Sequence, residues 1–291
     1  MSFIKWVGGK SKLLNRIIPK ITTQTFDLYL EPFVGSGAVL LYLLENMNID
    51  NITYKVNDIN TELIMTFSTI KSSVNELINI LNYLSSLTDE DNYYKLRSIY
   101  NERNNNIEYA YDILYSWELI DEQHDEQPTS HHLNLLTAAL FIYLNKTCFR
   151  GLYRVNKQNQ FNVPYGHYKN PKLFNPEELK HLSQLFQHVE FYNLEYDEFI
   201  KQNINTNTLI YLDPPYYETF NDYSSYSFDH DKFFSLINEL KSRNKLVISN
   251  SKAFNDNYHL EGFNIELINV QDKINSKSPN ASRIEIIATN Y

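Results

Sequence analysis

The chain predicts an α/β fold: a mostly parallel sheet flanked by helices, with a helical insertion in the middle. Three observations carry this. Short apolar runs such as "TLIYL" and "KLVISNS" alternate with stretches of helical period. Several of those runs stop at turn-forming residues: Gly in "EPFVGSG", Asp in "YKVNDIN", and an Asp-Pro-Pro in "LDPPYY". Between about 65 and 185 the alternation gives way to mostly helical pattern, as an inserted domain would produce. The 291 residues, 43% of them hydrophobic, suffice for one large α/β domain with or without a smaller second one.

In chain order, "FIKWVGGKSKLLNRIIPKI" opens with a Gly pair and continues as a short helix. In "DLYLEPFVGSGAVLLYLLE" a strand ends at Tyr29 and Leu30, a glycine turn follows, and a helix runs over Ala38 to Glu45. "TYKVNDIN" is a second strand ending at Asp58, and "TELIMTFSTIKSSVNELINILNYL" is the clearest helix. Residues 88–133 are polar, with "RNNN" and an acidic stretch. "ALFIYLNKTCFRGLYRVNKQNQFNVPYGHYKNPKLF" begins as a helix and becomes an irregular basic segment. "NPEELKHLSQLF" is a helix with Asn175 as its cap and Pro176 in its first turn. "VEFYNLEYDEFI" is a strand leading into a helix, "TLIYL" a strand closed by "DPPYY", "HDKFFSLINELK" a helix and "KLVISNS" a strand. "FNIELINVQ" and "SRIEIIATNY" form a closing hairpin.

A lone Cys148 excludes an internal disulfide framework and makes a reducing compartment the default. No cationic start followed by an apolar run marks a signal peptide, and the apolar stretches near 28–44 and 135–144 fall short of a bilayer span or contain polar residues. The net charge of -9 argues against a generally nucleic-acid-binding surface, but its distribution is uneven. From Tyr143 to Lys172 there is no Asp or Glu, while Lys146, Arg150, Arg154, Lys157, Lys169 and Lys172 fall there with His167. "WELIDEQHDE", just before, carries five acids. An acidic body with one basic stripe is compatible with DNA binding.

Ligands of open α/β sheets sit at the carboxyl ends of strands, and three signals have that placement. Phe33-Val34-Gly35-Ser36-Gly37 lets the backbone turn sharply and approach a ligand closely, although a plain turn before a buried helix needs the same residues. Asp58 lies about twenty residues further on, where an acid binds ribose hydroxyls or else caps the next helix. Asp213-Pro214-Pro215-Tyr216 has the most chemistry: the Asp213 carboxylate and the Pro214 carbonyl are two acceptors aimed at one point, held by a rigid turn, with the flat face of Tyr216 beside them. Such a site suits a planar ring bearing an exocyclic amine.

Taken together, "FIKWVGGK", "EPFVGSG", "NDIN", "NKTCFRGLYRVN", "FNVPYGHY" and "DPPY" resemble the Dam-type DNA adenine-N6 methyltransferases, the D12 class in its alpha arrangement. The resemblance runs from Phe3 to Tyr291 and is weakest in 88–132 and 218–227. It implies a Rossmann-like S-adenosylmethionine-dependent sheet over 1–64 and 186–291, with a helical DNA target-recognition domain over 65–185. By similarity, Phe33, Gly35 and Gly37 shape the cofactor pocket, Asp58 binds the ribose, Trp6, Gly9 and Lys10 lie near the methionine end, and Asp197 lies close to the cofactor adenine or caps a helix. The resemblance further implies that Asp213, Pro214, Pro215 and Tyr216 hold a flipped-out adenine for transfer to N6. A sulfonium leaving group implies no metal.

Lys146, Phe149, Arg150, Arg154, Lys157 and His167 are the expected DNA contacts, with Arg154 as a base reader and Phe149-Arg150 entering the duplex beside the extruded base. Relatives that read GATC commonly have Tyr-Asn where this chain has Phe-Arg, and Arg after "VPFG" where it has His167 after "VPYG", so GATC does not carry over. Phe149 also suits a core position and His167 a loop cap. In the loop "ETFNDYSSYSF", Tyr226 and Phe228 are candidate substrate contacts; Ser249, Asn250, Arg283 and Glu285 read as support. The expected partner is double-stranded DNA, with no membrane, in a monomer or weak dimer in the cytoplasm of a bacterium or of a virus's host. The sequence leaves two other readings open: an amino methyltransferase for RNA or another substrate, and a DNA-binding relative that has lost transfer. A nicotinamide dehydrogenase lacks the extended glycine fingerprint and an acid–base pair.

Overall fold

Seven strands form one mixed sheet in the order β3-β2-β1-β4-β5-β7-β6 in the computed structural model, which describes residues 3–47, 51–103, 106–120, 127–217, 228–271 and 282–291. The strands are β1 (Leu28–Glu31), β2 (Thr53–Asn57), β3 (Val189–Tyr192), β4 (Thr208–Leu212), β5 (Lys245–Ser251), β6 (Asn264–Gln271) and β7 (Ser282–Thr289). β1 pairs in parallel with β2 and β4, and β4 with β5. β7 runs antiparallel between β5 and β6, so the last two strands do form a hairpin, with its second arm inside the sheet.

The order of strands follows from their chemistry. Every residue of β1 and β4 is buried, as befits central strands covered on both faces. Leu28, Leu30, Ile210, Leu212, Leu246, Ile248, Ile286 and Ala288 point to one face. They meet α8 (Tyr196–Asn203), α9 (His230–Leu240) and α10 (Lys252–Tyr258) through Phe199, Ile200, Phe233, Ile237 and Phe254. Helix α1 (Leu14–Thr22) packs against β5, β7 and α2 (Ala38–Asn46). The chain reverses direction in the sheet order between β1 and β4, and the turns after those two strands therefore flank a switch point, where such sheets bind ligands.

The chain divides into two compact units: one of Met1–Gly9, Asn60–Phe191 and Asp222–Ser225, the other of Lys10–Ile59, Tyr192–Asn221 and Tyr226–Tyr291. The first is helical, built on α3 (Thr61–Leu84), α4 (Glu90–Glu102), α5 (Ile107–Ser116), α6 (Ser130–Thr147) and α7 (Pro176–Phe186). Helix α3 packs against α6 and α7, and Phe67 meets Phe3, Phe186 and Phe191. Arg103, 8% exposed, is neutralised by Glu62 at 3.0 Å and donates to Thr137 Oγ1. Among the described residues no helix is long and apolar enough to cross a membrane.

The first nine residues fall in the helical unit instead of the sheet unit, because Phe3 packs on Phe67, Trp6 stacks on Tyr153, and Asn145 exchanges hydrogen bonds with the Lys5 backbone. The stretch read as polar contains α4 and α5, whose buried faces are largely tyrosine and leucine: Tyr93, Leu96 and Tyr100, then Ala110 and Leu114.

Candidate active site

Strand β4 delivers Asp213, Pro214, Pro215 and Tyr216 at its carboxyl end, and Pro214 is buried while Pro215 is exposed. Lys10, 6% exposed in a short 3-10 turn, places its ammonium 2.7 Å from Asp213 Oδ2. Asp213 Oδ1 is buried with no hydrogen-bond partner among the described residues. Burial pushes the Asp213 carboxyl up to about 6; Lys10 opposes the shift, Glu285 adds to it and Arg283 opposes it. Tyr216 donates its hydroxyl to Glu285 Oε2 at 2.6 Å, and Arg283 grips Oε1 of the same carboxylate with Nε at 2.8 Å.

The turn after β1 is the second part of the site. Gly35 and Gly37 have φ of 47° and 71°, conformations that side chains strain to adopt. Asp58 accepts from Gly35 N at 2.9 Å, so the acid at the end of β2 and the glycine turn are joined as one structure. Buried Asn57, beside it, accepts from Leu194 N at 2.8 Å and donates to the carbonyls of Leu194 and Pro32. One side chain thus ties together the turns after β1 and β3. Beneath lies Glu31, 2% exposed, with Tyr29 donating to it at 2.9 Å. Burial raises the Glu31 carboxyl well above the usual range, with Asp213 and Asp58 adding to the shift. Under β4, Tyr211 and Ser249 share a buried hydrogen bond of 2.9 Å, and Asn250 Oδ1 receives Ser251 N at 2.7 Å.

Not every candidate gathers here. Phe33 joins an aromatic cluster with Tyr196, Phe228 and Phe233. Phe228 is therefore a packing residue of that cluster; Tyr226 lies outside the described residues. Asp197, in the first turn of α8, is paired with Lys232 at 2.9 Å and Lys201 at 3.2 Å; burial raises its carboxyl, but the two lysines bring it below the usual value. Trp6 and Gly9 belong to the helical unit, where Gly9 N donates to Trp6 O. Lys10, read as facing a cofactor carboxylate, has Asp213 as its partner.

The basic segment of the helical unit is a loop whose two arms meet at Cys148–Tyr165 and Val155–Phe161. Phe149 is 44% exposed and Arg150, at φ 57°, lays its guanidinium over the Phe149 ring. Arg154 Nε donates to Asn162 Oδ1 at 2.7 Å, which fixes its stem across the loop. Lys157 is exposed at the tip. His167, its side chain 70% exposed at φ 51°, lies against Tyr165. Lys146 differs from the others: it donates to the Phe3 carbonyl, and burial lowers its ammonium's affinity for a proton. It is a tether inside the unit, not an offered charge.

The seven-stranded mixed sheet with its two strand-end turns is consistent with a Rossmann-like methyltransferase fold. The chain belongs to the D12 class of N6 adenine-specific DNA methyltransferases, whose family model matches residues 6–274. It is 33% identical to the type II methyltransferase M.MjaIII of Methanocaldococcus jannaschii over 99% of this chain and 98% of that one. It is 29% identical to the retron Ec67 DNA adenine methylase of Escherichia coli over 86% of this chain and 77% of the relative. A DNA adenine methylase of Salmonella typhi is 30% identical over 74% of this chain and 64% of its own length. The protein is a transferase that methylates adenine N6 in DNA.

Proposed function

We propose that the enzyme methylates an adenine extruded from duplex DNA, held by Asp213, Pro214 and Tyr216, with S-adenosylmethionine as donor. The observation that carries this reading is Oδ1 of Asp213 at the end of β4, buried and without a hydrogen-bond partner among the described residues. A buried acceptor left without a donor costs about 1–3 kcal/mol, so the site is built for a donor that arrives with the substrate. The adenine amine supplies one N–H to Oδ1 and the other to the Pro214 carbonyl. Those two bonds draw the nitrogen lone pair out of conjugation with the ring. Lys10 holds Oδ2 meanwhile and keeps the carboxylate ionised and fixed.

The glycine turn and Asp58 fit a nucleoside cofactor: Gly35 and Gly37 hold the turn in the left-handed region, and a carboxylate stands beside it for ribose hydroxyls. S-adenosylmethionine supplies an electrophilic methyl group on a sulfonium centre. The residues contribute position and electrostatics, which can account for most of such a rate enhancement. In the helical unit, Phe149, Arg150, Arg154, Lys157 and His167 are proposed to contact DNA, with Arg154 reading a base edge and Phe149 entering the stack.

Two experiments test this. Asp213→Ala is expected to keep DNA binding in a gel-shift assay and to lose transfer of labelled methyl to duplex DNA, by about 10²-fold or more; turnover near the wild-type rate would reject the site. Arg154→Ala is expected to broaden the methylated sites mapped by N6-methyladenine sequencing, with cofactor affinity unchanged. An unaltered site preference removes Arg154 from recognition.

A further inference from the structure

We propose that Glu285 is a positioning residue that sets the plane of the Tyr216 ring, and that Arg283 fixes Glu285 in turn. The inference rests on the reading that Tyr216 stacks on the target base. A tyrosine at the mouth of a site rotates about two side-chain bonds, and a stacking platform works only when its plane is held. Tyr216 follows two prolines, which fix the backbone before it but not its ring. What fixes the ring is on another strand. Glu285 lies on β7 opposite Ser251 of β5, is 2% exposed, and accepts the Tyr216 hydroxyl at 2.6 Å. A short bond to a buried carboxylate is of the charge-assisted kind, roughly twice as strong as a neutral one.

That carboxylate is itself held in a fork: Arg283 Nε at 2.8 Å and the terminal guanidinium nitrogen at 2.7 Å both reach Oε1, leaving Oε2 to the phenol. The Arg283 guanidinium lies 5.6 Å from the Tyr216 ring centre and the Lys10 ammonium 4.8 Å, both within the range at which a cation is drawn to an aromatic face. The chain therefore runs from the last strand of the sheet, through a buried acid, to the ring beside Asp213. Arg283 and Glu285 are two residues apart on one strand and so share a face. Tyr216 is 69 residues away from Glu285 in sequence.

The test compares Glu285→Ala, Glu285→Gln, Tyr216→Phe, Tyr216→Ala and the Tyr216→Phe/Glu285→Ala double variant. Methyl transfer to unmethylated duplex DNA gives kcat and KM, calorimetry with S-adenosylmethionine gives the cofactor Kd, and thermal denaturation reports folding. Glu285→Ala and Tyr216→Phe are each expected to lower kcat about tenfold, with cofactor Kd unchanged, the loss of one charge-assisted hydrogen bond. Glu285→Gln keeps the side chain's shape but offers one uncharged acceptor oxygen, which cannot serve both the phenol and Arg283, and its rate is expected to fall between those of Glu285→Ala and the wild type. The double variant is expected to be no slower than the slower single variant, because both remove the same bond. Wild-type kcat in Glu285→Ala, or a double variant slowed by the product of the two single effects, overturns the assignment. Should Glu285→Ala fail to fold, Tyr216→Phe decides alone, since wild-type kcat there leaves Glu285 nothing to act through. Wild-type kcat in Tyr216→Ala would instead overturn the stacking reading itself.

Discussion

Asp213 has two oxygens in different surroundings, one on the Lys10 ammonium and one buried with no donor among the described residues. The carboxylate must be ionised to accept from an amine, and burial has moved its proton affinity up to about 6. The free enzyme therefore loses its acceptor as pH falls through that value, and kcat/KM on duplex DNA is expected to drop on the acid side of about pH 6 and level off above it. Lys10→Met removes the neighbour that favours the ionised form, so the acid limb is expected to shift to higher pH. A profile that is flat to pH 5, or a limb that Lys10→Met leaves in place, counts against this account of the pair. At this scale the sequence was partly legible. Asp213, Pro214 and Tyr216 announce themselves because their chemistry is local to four residues. Glu31, Asn57 and the Lys10 pairing do not, since each depends on a partner brought close only by the fold. Glu31 sits inside the quoted "EPFVGSG", and an acid within a fully buried strand is the signal that was available.

Among the elements, the glycine turn is the clearest case of backbone geometry fixing residue type. Gly37 caps α2 in the left-handed region at φ 71° and ψ 22°, and α2 behind it is almost wholly apolar and buried. Gly37→Ala is expected to cost about 1–2 kcal/mol, the penalty for an L-residue held there. The checking measurement is thermal denaturation read alongside cofactor titration. An unchanged midpoint would mean that the turn relaxes without loss. Strands and the long apolar helices could be read from period alone. Helix α4 could not, because tyrosines make up much of its buried face: Tyr93 hands its hydroxyl to the Val163 carbonyl while its ring packs against Tyr143 and Tyr165. A residue with an apolar body and a polar tip satisfies a core without looking hydrophobic.

On the scale of the whole chain, both units are discontinuous, and each draws on segments far apart in sequence. The insertion was legible as a break in strand–helix alternation. Its company with the first nine residues was not, because "FIKW" abuts the sheet unit in sequence while its side chains pack against α3 and α6. The sheet unit has a sharper dependence. β7 lies between β5 and β6 and is the only partner that joins them among the described strands. Removing residues 282–291 is expected to abolish cooperative unfolding of the sheet unit, followed by circular dichroism on heating, whereas trimming an edge strand would leave its neighbours paired. A truncated chain that still melts cooperatively would show that β5 can close the sheet without it.

The place of that final strand bears on synthesis as well as on architecture. A ribosome releases this chain from its amino end, so the six other described strands are complete and waiting before the one that fills the gap emerges. Until then β5 and β6 carry open edges, the kind of surface that chaperones shield. A polypeptide cut short by a late stop codon would consequently fail as a folded body before it failed as a catalyst.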